Sequence, residues 1–381
     1  MSAGGGRGPA AARAARAAAV LGAVRSGGAT LVRGAVGDPR ALVDAVVDRG
    51  RLPDPVLRAA IRGLLGLRRG EAAEGEEALR ARLWAGPVTV AVDDANAQHY
   101  EVPPRVFELM LGPRLKYSCA WWPEHGGHLA DAEDRMLDLT CRRAGLVDGQ
   151  DVLELGCGWG SLTLRMAERY PSSRILAVSN STRQRAHITA AAHERGLGNV
   201  RVVTADVGAL GVGETPPGFG SFDRVVSVEM LEHVRNHREL GRRIARWLRP
   251  GGELFVHVFA HRDRTYLFET GGAGDWMARH FFTGGTMPSE DLIPAAMDAL
   301  EHRQTWRIDG RQYTRTLAAW RENLEARREE VVAELSVGAT RAEGERRWHR
   351  WRTFLVACEE LFAARDGTEW GVVHHRLARP A

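Results

Sequence analysis

The chain has 381 residues and a nearly balanced charge, with 52 basic and 48 acidic side chains and a net charge of +4. This length allows a sizeable core and favours two structural units or one elaborated domain. No apolar run approaches the roughly 20 residues that cross a bilayer, and the four cysteines lack metal-site or disulfide spacing. Lys116 is the only lysine, so the basic character reflects arginine bias. We therefore predict a cytoplasmic protein without a nucleic-acid partner, a disulfide framework or a metal site.

Residues 1–37 are rich in Ala, Gly and Arg and contain no acidic residue. We predict a disordered basic arm, although the same composition is typical of organellar transit peptides, so organellar import remains an alternative. Residues 38–95 are predicted to form a helical extension, because apolar residues recur at helical spacing in ALVDAVVDRG and VLRAAIRGLLGL.

The middle of the chain alternates short apolar runs with amphipathic segments, a pattern that predicts an α/β fold with a doubly wound, mostly parallel sheet. The predicted strands are DVLEL, RILAVS, VRVVTADV, FDRVVSVEM and the segment that follows LRPGG. Ligands of such sheets bind at the carboxyl ends of the strands. The cluster Glu229, Glu232 and His233 follows the fourth predicted strand and therefore lies on this rim.

A glycine-rich turn follows the first predicted strand, in the order E-x-G-x-G-x-G. Such a turn brings backbone close to a ligand and presents helix amides, but dinucleotide enzymes use a similar one. Ser179 and Asn180 stand at the end of the second strand, where those enzymes carry an acid that binds ribose. A nicotinamide cofactor is therefore disfavoured.

Several dispersed motifs resemble the class I S-adenosylmethionine-dependent methyltransferases of the cyclopropane fatty acid synthase superfamily. They are VLELGCGWG, TADV, LRPGGELFV, HYEVP, LKYSCAWW, SNSTRQ and VEMLEHV. Four further motifs look most like the coclaurine N-methyltransferase branch: LFVHVFAHR, DWMARHFFTGGTMPS, WRTF and EWGVVH.

The resemblance implies a Rossmann-like fold with a helical N-terminal extension and a helical C-terminal cap insertion. The methyltransferase domain would occupy residues 96–381, with its core at about 130–262 and 368–381 and its substrate cap at about 263–367. The implied activity is methyl transfer from S-adenosylmethionine to the nitrogen of a small amine that is cyclic or carries an aromatic group. A homodimer is a further expectation.

The family pattern also assigns residues to the methyl donor. Tyr117 and Ser118 would contact its amino-acid end. The other implied cofactor residues are Glu154, Gly156, Gly158, Gly160, Ser179, Asn180, Gln184 and Asp206. Core packing is the alternative interpretation for Tyr117, because tyrosine is commonly buried for its own sake.

An amine with a pKa near ~10 is protonated at neutral pH and has no lone pair to attack a methyl group. His233 is suited to accept that proton, and Glu229 to orient the ammonium or relay its proton. If a helix follows Ser227, Glu229 and His233 share one face, with Glu232 beside them. The alternative interpretation is a solvated, acid-rich first turn that complements the helix dipole.

The implied substrate contacts are Tyr100, His257, Phe259, Tyr313, Trp351 and Phe354. Aromatic rings suit a flat or cationic amine through stacking and cation–π attraction. Trp351 and Phe354 are also explained by core packing, since residues three apart share a helix face. Predicted helices in DLIPAAMDALE and LAAWRENLEARREEVVAEL would form the cap and exclude water.

Two other functions remain open. Cyclopropane synthases transfer the methyl group to a lipid double bond and hold bicarbonate as a base, and the positions that resemble the bicarbonate ligands are Cys119, Glu232, His257 and Tyr313. These enzymes typically carry glycine where Glu229 stands, and a carboxylate beside an acyl chain would be costly to bury. The second alternative is a protein that binds a ligand or nucleic acid without turnover.

Overall fold

A computed structural model describes residues 39–69, 75–90, 102–210, 220–270 and 275–381. The predicted arm at 1–37 and Tyr100 lie outside the described residues. Within the described ranges, the strands β1 to β9 span Asp151–Leu155, Arg174–Ser179, Val200–Thr204, Phe222–Val228, Leu248–His261, Tyr266–Leu267, Thr286–Met287, Glu301–Ile308 and Trp370–Ala378. The predicted strands are all present.

Seven of these strands form one sheet in the order β3-β2-β1-β4-β5-β9-β8. The pairs among β1 to β5 are parallel, and β9 runs antiparallel to both β5 and β8. All five residues of β1 are buried, as expected for a strand covered on both faces. The predicted class I methyltransferase fold is confirmed, and the carboxyl ends of the parallel strands meet at one edge.

Helices cover both faces of the sheet and build the additional layers. In the described ranges, α1 to α13 span Pro39–Asp48, Asp54–Arg69, Glu76–Ala85, Pro104–Met110, Leu129–Arg143, Ser161–Arg169, Thr182–Glu194, His237–Trp247, Trp276–His280, Leu292–Ala296, Gly310–Ala326, Arg328–Leu335 and Arg341–Ala363. None of them combines the length and apolar character that a bilayer crossing requires.

The segment between β5 and β9 differs in part from the predicted helical cap. Helices α11, α12 and α13 pack together, but DLIPAAMDALE is helical only over Leu292–Ala296. The following strand β8 pairs with β9 and forms an edge of the main sheet. The first five residues of its sequence EHRQTWRI are polar and exposed, so apolar periodicity gave no strand signal there.

The N-terminal extension is held on the cap by ion pairs. Arg58 of α2 binds Glu359 and Glu360 of α13 at 2.7 and 2.8 Å. Arg350 of α13 binds Asp48 of α1 at 2.6 Å. Beyond α3, the chain runs along the loop after β4, where the backbone N–H of Arg235 donates to the Val88 carbonyl at 2.8 Å. The extension therefore reaches the carboxyl edge of the sheet.

Candidate active site

The glycine turn after β1 is built by three residues with left-handed backbone. Gly156, Gly158 and Gly160 have φ values of +78°, +52° and +84°. Residues that carry a side chain rarely adopt such values. A Cβ at Gly156 would meet Met230 and one at Gly160 would meet Ile188, whereas one at Gly158 would meet nothing within 4 Å. Gly158 thus leaves an open space beside the turn, here called the cradle, that any side chain at this position would enter.

That cradle opens into a cleft at the ends of β1, β2, β3 and β4. The cleft is lined by Thr89, Val90, Gly156, Gly158, Val178, Ser179, Asn180, Gln184, Ala205, Asp206, Val207, Met230, His233, Val234, Thr283 and Gly284. Six of the ten predicted cofactor residues are in this set: Gly156, Gly158, Ser179, Asn180, Gln184 and Asp206.

The polar side chains at the end of β2 hold one another in place. The Ser179 hydroxyl donates to Gln184 Oε1 at 2.6 Å and accepts from the backbone N–H of Ser181 at 3.0 Å. Hydroxyl, amide and carboxylate groups beside a glycine cradle suit the ribose and adenine of S-adenosylmethionine. The residues present therefore fit this cofactor.

Thr89 is a lining residue that the sequence did not indicate. Its hydroxyl donates to Asp206 Oδ2 at 3.0 Å, and its backbone bridges to Val234. The other carboxylate oxygen of Asp206 accepts from the backbone N–H of Gly208 at 3.0 Å. No motif marks Thr89, because its role depends on the extension lying over the end of β3.

The remaining predicted cofactor residues occupy positions behind or beside the cleft. Glu154 is 2% exposed and accepts from the Thr163 hydroxyl at 2.5 Å, and burial raises its pKa to about 8. Ser118 accepts from Lys116 Nζ at 2.5 Å. The Tyr117 ring packs among aromatic rings of α4, α11 and α13. Contacts of these three to the cofactor stay predictions.

Glu229 lies at a sharp bend after β4 with a left-handed φ of +46°, an uncommon conformation for a residue with a side chain. Its carboxylate accepts three hydrogen bonds: from Cys119 N–H at 2.9 Å, His257 Nε2 at 3.1 Å and Tyr313 OH at 2.5 Å. The condition for a shared helix face is not met, because only a 3₁₀ turn at Leu231–His233 follows. Glu229 and His233 therefore do not share a helix face.

Glu232 is also buried, at 1% exposure, so a solvated first turn is wrong for this cluster. Its Oε1 accepts from the backbone N–H of Phe259 at 2.9 Å, and Oε2 has no hydrogen-bond partner among the described residues. Burial, reinforced by the negative charge of Glu229, raises the pKa of Glu232 well above its ordinary value. Burial also raises the pKa of Glu229, against the opposing effect of Lys116 and two donors.

A series of hydrogen bonds continues from Glu229 through groups on β5, β9 and α5. His257 Nδ1 lies 2.9 Å from His374 Nε2, and His374 Nδ1 lies 2.9 Å from Arg143 Nη1. Burial lowers the pKa of both histidines well below the usual value. Lys116 is 2% exposed, and burial lowers its pKa as well. The sequence indicated His257 as a site residue but not His374, Arg143 or Lys116.

His233 belongs to the lining of the cofactor cleft. It is half-buried, and its ring lies 4.8 Å from that of Phe282. Phe282 also contacts Phe259 and Phe268 at ring distances of 5.7 and 4.9 Å. The imidazole thus lies between the cleft and an aromatic surface.

The four predicted aromatic substrate residues in the described ranges, Phe259, Tyr313, Trp351 and Phe354, lie in one continuous cluster. Phe354 stacks on Phe281 at 4.3 Å, and Trp351 meets both rings edge-on at 5.9 and 5.2 Å. Tyr313 stacks on Phe362 at 4.4 Å. Phe354 and Phe259 are half-buried, whereas Trp351 is 4% exposed. Trp351 therefore also has the core position that helix periodicity suggested.

Comparison with known proteins agrees with this geometry. The family model described as mycolic acid cyclopropane synthetase matches residues 90–370. The (S)-coclaurine N-methyltransferase of Thalictrum flavum subsp. glaucum is 34% identical over 292 residues, 75% of this chain and 79% of the relative. The cyclopropane-fatty-acyl-phospholipid synthase of Escherichia coli (strain K12) is 31% identical over 282 residues, 73% of this chain and 67% of the relative.

A crystal structure of coclaurine N-methyltransferase bound to N-methylheliamine and S-adenosylhomocysteine has a TM-score of 0.82 and 30% identity, covering 88% of this chain and 99% of that one. The protein uses S-adenosylmethionine and is an N-methyltransferase. Its chain belongs to the mycolic acid cyclopropane synthetase family of methyltransferases, in the branch of the coclaurine N-methyltransferases.

Proposed function

We propose that this enzyme methylates the nitrogen of a cyclic secondary amine that carries an aromatic ring. The observation that carries this proposal is the position of the Glu229 carboxylate. It accepts the hydrogen bonds of Cys119, His257 and Tyr313, three of the four positions that resemble bicarbonate ligands in the lipid enzymes. A side-chain anion thus takes donors that an exogenous bicarbonate would need.

Backbone strain supports a functional role for that carboxylate. A left-handed conformation costs a residue with a Cβ roughly 1–2 kcal/mol, and glycine would adopt it freely. Glu229 keeps this conformation at the centre of three donors. Strained residues at ligand sites persist because the surrounding structure holds them.

The two carboxyl groups would have different roles. Glu229 is the better stabilised anion because it accepts three hydrogen bonds. Glu232 Oε2, which has no partner among the described residues, would accept a hydrogen bond from the substrate ammonium. The ammonium's positive charge would let Glu232 ionise, because an opposite charge nearby favours the charged form.

Proton removal would then expose the nitrogen lone pair. We assign this step to His233, which lines the cleft, because imidazole is the side chain best suited to accept a proton near neutral pH. The N–H proton moves to the imidazole and its electron pair stays on nitrogen. Bound S-adenosylmethionine supplies an electrophilic methyl group on a sulfonium. The rings of Phe281, Phe354 and Phe259 would exclude water and bind the substrate ring.

The names of related enzymes and the ligand of a matching crystal structure support the same substrate class. The names of matching enzymes refer to coclaurine, tetrahydroprotoberberine and pavine. The matching crystal structure holds N-methylheliamine. For this chain, the aromatic cluster and two buried carboxyl groups support a cyclic aromatic amine.

The test is a mass-spectrometric assay with purified protein and S-adenosylmethionine. Tetrahydroisoquinolines and aliphatic cyclic amines are offered beside vesicles of unsaturated phosphatidylethanolamine. We expect methylation of aromatic cyclic amines, strongly reduced in Glu229→Gln and His233→Asn. Glu253→Gln is the matched control, since Glu253 pairs with Arg224 and Arg376 at the opposite end of the sheet. Modification of the lipid with all amines unchanged would refute the proposal.

Location and assembly are separate proposals. We propose that the enzyme acts in the cytoplasm, a placement supported by four cysteines that are all free thiols in the described chain. Cell fractionation tests this location.

The homodimer expected from the sequence stays a prediction, to be measured by light scattering of the purified protein.

A further inference from the structure

A chain of hydrogen bonds leads from Glu229 along one face of the sheet, because the directly paired His257 and His374 project to the same side. It passes through His257 of β5 and His374 of β9 and ends at Arg143 of α5, with distances of 3.1, 2.9 and 2.9 Å. Both histidines are essentially inaccessible, at 1% and 0% exposure. We call these three residues, His257, His374 and Arg143, the histidine chain.

The direction of every hydrogen bond in the histidine chain follows from its last member. A guanidinium only donates, so His374 Nδ1 must accept from Arg143. The proton of a neutral His374 then resides on Nε2 and is donated to His257 Nδ1. His257 in turn carries its proton on Nε2, which faces the Glu229 carboxylate.

Other protonation states do not fit this geometry. A proton on His374 Nδ1 would face an Arg143 N–H, and a cationic His257 would require His374 Nε2 to accept. Burial opposes protonation of both rings, as do the nearby positive charges of Lys116 and Arg143, and His257 and His375 add further opposing effects on His374. Glu229 is the neighbouring negative group.

We propose that Arg143 and His374 are positioning residues that fix His257 as a permanent hydrogen-bond donor to Glu229. The carboxylate keeps its third donor and stays in place, instead of facing an imidazole lone pair. This inference rests on the proposed function for its kinetic effect. The tautomers themselves are independent of any substrate.

The first test is NMR of ¹⁵N-histidine-labelled full-length protein without substrate. We expect His257 and His374 to be neutral Nε2–H tautomers. In Arg143→Met, which removes the fixed donor, His374 should show an Nδ1–H population, whereas Arg143→Lys, whose ammonium also only donates, should restore the original state. An Nδ1–H tautomer or a cationic ring in the unmodified protein would overturn the proposal.

The second test compares two adjacent buried histidines on β9. His374→Phe removes the donor to His257, and His375→Phe removes a hydrogen bond to Thr305 of 2.8 Å on the other side of the sheet. Losing one such bond corresponds to about tenfold in rate. We expect that loss in kcat for His374→Phe, with KM unchanged, and normal kcat for His375→Phe.

Equal kinetics of these two variants would overturn the positioning role, even if the tautomers are as expected. If His374→Phe does not fold, Arg143→Met replaces it in the kinetic comparison. Arg143→Lys should then have the kcat of the unmodified enzyme. If the unmodified enzyme methylates no amine while its tautomers are as expected, the proposed function fails and the tautomer assignment stands.

Discussion

The cofactor cleft and the carboxylate site differ in how the chain builds them. The cleft takes most of its surface from loops that directly follow β1, β2, β3 and β4. The carboxylate of Glu229 instead meets Cys119, His257 and Tyr313, which are separated from it by 110, 28 and 84 residues. One region is encoded by local motifs and the other by tertiary packing, so they should respond differently to substitution.

The largest effect is expected at the centre of the carboxylate site. Glu229→Gly relieves the left-handed backbone but leaves three donors without their anion. We expect activity to fall on the order of 10²- to 10³-fold, as when a preorganised electrostatic group is lost. Added formate or bicarbonate should restore part of it in steady-state assays. Full activity without added anion would show that the carboxylate is dispensable.

A smaller effect is expected in the cleft. Gly158→Ala puts a Cβ into the open cradle, and we expect the Kd of S-adenosylmethionine to rise about tenfold, or ~1.4 kcal/mol. Gly196→Ala is the control, because Gly196 has a similar φ of +67° and open space but does not line the cleft. Isothermal titration calorimetry of both variants separates backbone strain from loss of cofactor space. Equal affinities would contradict the cradle.

Protonation of Glu154 should make the free energy of unfolding depend on pH. Its pKa is raised to about 8, whereas an unfolded glutamate titrates near 4.3. Between these two pH values the folded protein therefore keeps a proton on Glu154 that the unfolded chain has lost. The stabilisation from this proton is fully present below the unfolded pKa and is lost as the pH rises through about 8. In Glu154→Gln, the free energy of unfolding should fall less steeply with pH, by up to about 1.4 kcal/mol per pH unit. Urea unfolding at pH 5 to 9 measures the slope, and parallel curves would contradict the assignment.

The smallest effect tests whether the extension belongs to the cleft. Thr89→Val removes the hydroxyl that donates to Asp206, and one such bond contributes about 1 kcal/mol. We expect a severalfold rise in the KM for S-adenosylmethionine with unchanged kcat. Thr305→Val, at a hydroxyl that contacts His375, is the control. A change in kcat instead of KM would place Thr89 in the chemistry rather than in cofactor binding.

The sequence allowed the fold and much of the cleft to be predicted because strand, glycine turn and helix are consecutive. It failed where distance in the chain is large. Thr89 reaches Asp206 across 117 residues, and Arg143 reaches His374 across 231. The sequence left open whether a helix follows Ser227, whereas the chain bends at Glu229, whose carboxylate accepts hydrogen bonds from three distant donors. Such contacts leave no local pattern.

The burial of Lys116 offers a reporter of folding. It is the chain's only lysine and is 2% exposed, with Nζ bonded to Ser118 Oγ and the Cys119 carbonyl. An acylating reagent should therefore leave every side-chain amine of the native protein unmodified. Acylation of Lys116, followed by mass spectrometry of intact protein, would then count the molecules in which the segment beneath the active site has opened.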